Sequence, residues 1–221
     1  MKNKTILVAT LASFILASSS NAALLISGVF DGTLSGGTPK GVELYATADI
    51  TDLSVYGIGS ANNGGGSDGM EFVLSGSALA GDYIYAVASG NDDEFAAWFG
   101  ETATFTTNSM SINGDDAIEL FSASTESVID TFGDINVDGN GEDWEYMDGW
   151  AYRTSGSAGA FTISDWSFSG ANAWDGASDN ASSGAVMPLG TFTTSVVPEP
   201  STYALLVGML ALTAVMIRRR S

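Results

Sequence analysis

One acidic, glycine-containing stretch has the residue types and spacing of a calcium-binding loop. It reads DINVDGNGEDWE and fits the pattern D-x-N-x-D-G-x₅-E. Asp134, Asn136 and Asp138 offer oxygen ligands at alternate positions, Gly139 permits a sharp bend, and Glu145 could close the site. The pattern therefore predicts one bound Ca²⁺, or another hard cation, at this loop.

A structural loop is the alternative interpretation of the same residues. Gly141 stands where a calcium loop usually has an apolar residue, and the flanking sequence favours strand and loop over the two helices of an EF-hand. Asp and Asn side chains also cap backbone turns, and Trp144 could dock such a loop on the domain. The residue pattern is compatible with both interpretations.

Other chemistry is restricted by what the sequence lacks. There is no histidine, which excludes His-based general bases, Ser-His-Asp triads and the usual zinc and copper sites, and no cysteine for disulfides. The adjacent Asp115 and Asp116 should cap backbone amides instead of acting as an acid–base pair. Six aromatic residues could stack on sugars but are expected to be core or loop anchors: Trp144, Tyr146, Trp150, Tyr152, Trp166 and Trp174.

The first 22 residues have the three parts of a secretory signal peptide. Lys2 and Lys4 precede an apolar run over 6–17, and a small-x-small site ends at Ala22. The pattern predicts export through the Sec translocon and cleavage by signal peptidase before Ala23.

The last 26 residues, from Val196 to Ser221, form a second targeting segment. The triplet Pro198, Glu199 and Pro200 precedes an uncharged apolar run over about 202–217, which is roughly 24 Å long as a helix. This length is slightly short for a transmembrane helix. The three arginines that follow should stay cytoplasmic, because cationic flanks resist translocation: Arg218, Arg219 and Arg220.

This tail resembles the PEP-CTERM sorting signal in the order of its parts. The resemblance implies recognition by an exosortase, cleavage near Pro198 to Pro200, and a transient anchor in the inner membrane. It also implies delivery to the cell surface or extracellular matrix, often in company with exopolysaccharide. An ordinary single-pass anchor is the alternative.

The segment between the two ends is strongly acidic. Removing the ends takes away five of the seven cations but only one of the 26 acids, so the remaining domain has a net charge of −23. Lys40 and Arg153 are its only cations. Such a surface repels nucleic acid and anionic lipid, so we expect no nucleic-acid partner.

Short β-rich runs between glycine-rich turns predict an all-β domain over 23–193, followed by the sorting tail over 194–221. One short helix is predicted over 91–100, with Asn91 as its cap and Phe95, Trp98 and Phe99 on its core face. The predicted strands lie at 24–30, 40–46, 52–60, 70–74, 82–88, within 112–121, at 127–133 and at 187–192.

Four of these pieces resemble the lamin-tail-like domain of secreted bacterial proteins. They are Val42 to Tyr45, Leu74 to Gly81, the NGDDAIEL run from Asn113 to Leu120, and Val128 to Gly133. The resemblance spans about 24–192 and implies an immunoglobulin-like β-sandwich. In that family the domain often accompanies a nuclease or phosphatase, but no such neighbour is present here.

The sequence favours an exported, non-enzymatic structural or adhesive protein of the cell surface or matrix. A calcium-dependent module that binds glycan or another polymer is the alternative. A hydrolase with two carboxylates is a third hypothesis, and it is disfavoured because no carboxylate has an apolar sequence setting that would raise its pKa.

Overall fold

Runs of β-branched and aromatic residues form ten β-strands within residues 22–194, the part of the chain that the computed structural model describes. Helix α1 (Asp92–Phe99) lies between the fifth and sixth strands. The strands are β1 (Leu24–Leu34), β2 (Thr38–Ala46), β3 (Tyr56–Ala61), β4 (Phe72–Val73), β5 (Tyr83–Ala88), β6 (Phe105–Thr107), β7 (Ala117–Ser122), β8 (Ser127–Phe132), β9 (Gly149–Arg153) and β10 (Trp166–Phe168).

The strands form two sheets. The larger has the order β10-β9-β1-β2-β5-β6, and the smaller has the order β4-β3-β7-β8. All pairs are antiparallel except β5 with β6. In the central pair, Asp31 of β1 lies opposite Lys40 of β2, and Leu25 lies opposite Tyr45.

The first core lies between the two sheets. Side chains of β1 and β2, such as Ile26 and Leu44, pack with Ile118 and Phe132 of the smaller sheet, and all four are fully buried. Burial of this apolar surface is the main stabilising contribution to the sandwich.

A second apolar layer covers the outer face of the larger sheet. Helix α1 supplies Phe95 and Trp98, and the C-terminal segment 187–192 supplies Met187 and Phe192. Because the larger sheet is covered on both faces, β1 is buried along its first nine residues instead of alternating between buried and exposed positions.

The predicted all-β fold with two sheets and one helix is confirmed. Strands β6, β9 and β10 were not predicted, and three other details differ from the expectations. The prediction of a final strand at 187–192 was wrong, because this segment is turn and irregular chain bound to the sheet by side chains. Asn91 makes no side-chain cap on α1; its Oδ1 instead accepts the Lys40 amide at 3.2 Å. The strand predicted at 52–60 begins with a short 3₁₀ helix, Leu53–Val55.

Both predicted targeting segments lie almost entirely outside the described residues. Residues 1–21 and 195–221 lie outside the described range, and with them the proposed signal peptide (apart from Ala22), the Pro-Glu-Pro triplet and the apolar run over 202–217. Between residues 22 and 194, no helix has the length and hydropathy to cross a membrane.

Candidate functional site

The predicted calcium loop connects β8 to β9, and its polar side chains bind the loop's own backbone. Asp134 Oδ1 accepts the Asn136 amide at 2.9 Å, and Asp138 Oδ1 accepts the Asn140 amide at 3.0 Å. Glu145 Oε2 accepts the Gly141 amide at 3.1 Å. Asp134, Asn136 and Asp138 are exposed, and Glu145 is half-buried. These carboxylates therefore already stabilise turns of the loop.

Trp144 anchors the loop to the domain. Its side chain is 5% exposed and meets the Phe132 ring edge-on, with the ring centroids 6.0 Å apart. A Cβ at Gly139 would lie only 2.7 Å from the indole, so only glycine fits the loop backbone beneath this ring. The docking of Trp144 is the arrangement expected of a structural loop.

The structure does not bring the four predicted ligands into one metal site. Among residues 22–194, no group of three or more acidic side chains has the geometry to hold a metal ion. Calcium binding at Asp134, Asn136, Asp138 and Glu145 stays a hypothesis, which would require the loop to rearrange.

An open depression of about 270 Å³ adjoins the start of the loop. Its lining is mainly apolar: Thr131, Gly133, Asp134, Ile135, Ala160 and Phe161. Asp134 is the one ionisable residue in that set, so this depression does not hold the facing carboxylate pair that a glycosidase needs.

The adjacent Asp115 and Asp116 differ in environment. Asp116 is buried, and its two oxygens accept the amides of Asn63 at 2.9 Å and Asn113 at 3.0 Å, which confirms the predicted capping role. Asp115 is half-buried, and burial raises its pKa, with further contributions from the charges of Asp116, Asp138 and Glu145. The turn that carries Asp115 also holds the loop, since its carbonyl accepts the Gly139 amide at 3.0 Å.

The aromatic residues considered for sugar stacking are core residues. All six are at most 8% exposed: Trp144, Tyr146, Trp150, Tyr152, Trp166 and Trp174. The expectation that they are core or loop anchors is confirmed, and they form no exposed stacking platform for a sugar.

Three buried carboxylates whose pKa is raised by burial were not identified from the sequence. The first, Asp130 of β8, bridges the two sheets. Its Oδ1 and Oδ2 each accept Arg153 Nη2 at 2.9 Å, and Oδ2 also accepts the Ile26 amide of β1 at 2.8 Å. The Arg153 guanidinium lies 4.7 Å from the Trp166 ring centroid. Burial raises the pKa of Asp130, and the charge of Arg153 opposes that rise.

The second, Glu43 of β2, binds the C-terminal segment. Its Oε1 accepts Ser27 Oγ at 2.6 Å, and its Oε2 accepts the Gly190 amide at 2.6 Å. Tyr152 Oη accepts the next two amides, Thr191 at 3.0 Å and Phe192 at 2.7 Å. Burial raises the pKa of Glu43 to about 7, against the opposing effect of these hydrogen bonds.

The third, Asp31 of β1, lies beside Lys40. The Lys40 Nζ is 3.4 Å from Asp31 Oδ1, and both side chains are mostly buried. Burial raises the pKa of Asp31 to about 7, while the charge of Lys40 opposes the change. One signal was available in the sequence: Lys40 and Arg153 are the only cations between the two predicted targeting segments, and each pairs with a buried acid.

Comparisons with protein-family profiles, with curated proteins and with solved structures give no match to this chain.

Proposed function

We propose that this chain is an exported protein of the cell surface or extracellular matrix, sorted by an exosortase, with a non-enzymatic structural or adhesive role. The proposal rests on one observation: the ordered series of Pro-Glu-Pro triplet, apolar run and arginines that follows the folded domain. The N-terminal pattern of a signal peptide supports it, because a tail of this kind acts only on an exported chain.

The described domain fits this role in two respects. Its apolar faces are buried in two layers, and its surface carries most of a large negative charge, which keeps an exported protein dispersed. The two-sheet architecture also agrees with the lamin-tail-like, immunoglobulin-like assignment, which remains part of the proposal. The partners implied are the Sec translocon, signal peptidase, exosortase, the inner membrane and an exopolysaccharide.

Expression of the full chain with and without an exosortase tests the sorting proposal. We expect the protein to be cleaved near the triplet and released from the membrane fraction only when the exosortase is present. Replacing Pro198, Glu199 and Pro200 by alanine should leave the full-length chain in the membrane. Alanine at Thr193, Thr194 and Ser195 is the matched control and should be processed normally. Identical processing without the exosortase would contradict the proposal.

A further inference from the structure

Lys40, Asn113 and Asp31 converge at one place in the fold. Lys40 Nζ is 3.1 Å from Asn113 Oδ1 and 3.4 Å from Asp31 Oδ1. The same Nζ donates to the Ile112 carbonyl at 2.6 Å, which fixes the amine against the chain that carries Asn113. A primary amine, a carboxamide and a buried carboxyl group are the three groups needed to form an amide between two side chains.

The fold fixes all three groups before any reaction. Asp31 and Lys40 are direct cross-strand partners in the β1–β2 pair. Asn113 precedes β7 of the other sheet, and its amide donates to Asp116 Oδ2 at 3.0 Å, which stabilises the turn that presents it. The Asn113 carbonyl carbon is one bond, about 1.2 Å, from the oxygen that the amine contacts. The Nζ–Cγ distance therefore lies within about 1.2 Å of the 3.1 Å contact, so a small rotation of the Asn113 side chain brings the two atoms to the roughly 3–3.5 Å of a near-attack geometry.

Two glycines, Gly37 and Gly114, pack closely against the reacting groups. A Cβ at Gly37 would lie 2.9 Å from Lys40 Cε, and one at Gly114 would lie 2.9 Å from Asp31 Oδ2. Both glycines have positive φ, +67° at Gly37 and +80° at Gly114, a conformation that favours glycine. The amine is thus shielded, whereas Asn113 is exposed and leaves a path for a small leaving group.

The environment of Asp31 suits a proton carrier. Asp31 Oδ1 is buried and lies 3.4 Å from Lys40 Nζ, and burial raises the pKa of Asp31 to about 7. Asp31 can therefore accept the proton that the Lys40 ammonium must lose before the amine attacks.

We propose that Lys40 and Asn113 form an intramolecular isopeptide bond, with Asp31 as the catalytic proton carrier. Lys40 Nζ attacks Asn113 Cγ, and a C–N bond forms while the bond from Cγ to Nδ2 breaks. Asp31 transfers the proton taken from the amine to Nδ2, which leaves as ammonia, and regains one from Nζ. The Lys40 ammonium, the Asn113 carboxamide and the Asp31 carboxylate thus become a secondary amide, ammonia and a protonated Asp31, with no oxidant or cofactor. The bond links residues 73 positions apart and joins the two sheets.

Peptide mapping of the full chain tests the proposal. Lys40 and Arg153 are the only trypsin sites between the targeting segments, and trypsin does not cleave after an acylated lysine. After denaturation and digestion, we expect cleavage after Arg153 but none after Lys40. The peptide that contains Lys40 and Asn113 should be lighter by one ammonia. Cleavage after Lys40 with the full peptide mass would overturn the proposal.

Two variants distinguish the bond from the alternatives. In Lys40→Arg, we expect cleavage after position 40 and peptides with the masses calculated from their sequence. In Asn113→Ser, we expect cleavage after Lys40 and no loss of ammonia. An Asn-Gly sequence can also lose ammonia by closing a succinimide at Asn113, but that product leaves Lys40 cleavable and would persist in Lys40→Arg. Finding the mass loss in Lys40→Arg would therefore assign it to the succinimide and count against the isopeptide bond.

Discussion

Asp130 and Glu43 are both fully buried carboxylates, yet the fold stabilises them differently. Asp130 has a bidentate contact with Arg153 and backbone amides on both sides, so an opposite charge accompanies it in the core. Glu43 has uncharged partners, among them Ser27 Oγ and the Gly190 amide, and neither of the two ion pairs within residues 22–194 includes it. The comparison indicates that the link between the sheets depends on a charge pair, whereas attachment of the C-terminal segment depends on an acid that titrates near neutral pH.

Breaking the ion pair should have the largest effect. Arg153→Met leaves the Asp130 carboxylate buried without its cation, which should lower the free energy of unfolding by about 3–5 kcal/mol. Urea denaturation measures the change. The double variant with Asp130→Asn should recover part of the loss, because no uncompensated charge remains. Glu126→Gln, at an exposed acid, is the control and should change little. A loss below about 1 kcal/mol would contradict the view that the pair bridges the sheets.

Titration of Glu43 should have the next largest effect, on the pH dependence of stability. Its pKa is raised from 4.5 to about 7 in the fold, so the folded state binds more protons than the unfolded state between these values. Stability should therefore fall as pH rises from about 4.5 to above 7, by about 3 kcal/mol from this residue. Glu43→Gln should flatten the slope, which denaturation at a series of pH values would measure.

The slope should decrease without vanishing in Glu43→Gln, because Asp31 also has a pKa raised to about 7 and contributes with the same sign. Glu101→Gln is the matched control, since its charge is only a minor cause of the raised pKa of Glu43. An unchanged slope in Glu43→Gln would show that the residue does not titrate in this range.

Loss of the Tyr152 hydroxyl should have a smaller and local effect. Tyr152→Phe leaves the amides of Thr191 and Phe192 without their acceptor and should cost about 1–3 kcal/mol. Hydrogen exchange should accelerate at these two amides and much less in β7. Tyr83→Phe is a useful comparison, because it removes a single hydrogen bond to the Phe192 carbonyl. Equal exchange rates in the wild type and Tyr152→Phe would contradict the attachment of this segment.

The exposed acids of the loop should give the smallest effect. Asp138→Asn should change the free energy of unfolding by about 0.5 kcal/mol or less, because the side chain is exposed and an amide oxygen can still accept the Asn140 amide. Thermal unfolding with calcium or with chelator should give similar midpoints. A clear rise of Tm with calcium that is lost in Asp138→Asn would instead support the calcium hypothesis for this loop.

Local patterns predicted the parts of the fold that depend on neighbouring residues. The helix over 91–100 and the strand over 40–46 agree with Asp92–Phe99 and Thr38–Ala46. The capping role of Asp116 could also be predicted from the sequence, because its partner Asn113 lies only three residues away.

Contacts between distant parts of the chain could not be predicted in this way. Alternation along β2 placed Glu43 and Tyr45 on the face opposite Val42 and Leu44, but no local signal showed that a segment near residue 190 covers that face. The same holds for Asp130, whose partners Ile26 and Arg153 lie 104 and 23 residues away. The calcium pattern lies within one loop, but Asp and Asn at alternate positions can act either as metal ligands or as turn caps. The sequence does not distinguish these two roles.

The attachment of residues 187–192 determines how mechanical load would enter the domain. A pull from the C-terminal side reaches Phe192, Thr191 and Gly190 before any strand, so Tyr152, Tyr83 and Glu43 carry the first tension. These anchors lie on β9, β5 and β2 of the larger sheet. A force applied at the C-terminal side would therefore detach residues 187–192 from the outer face of the larger sheet before the sandwich unfolds.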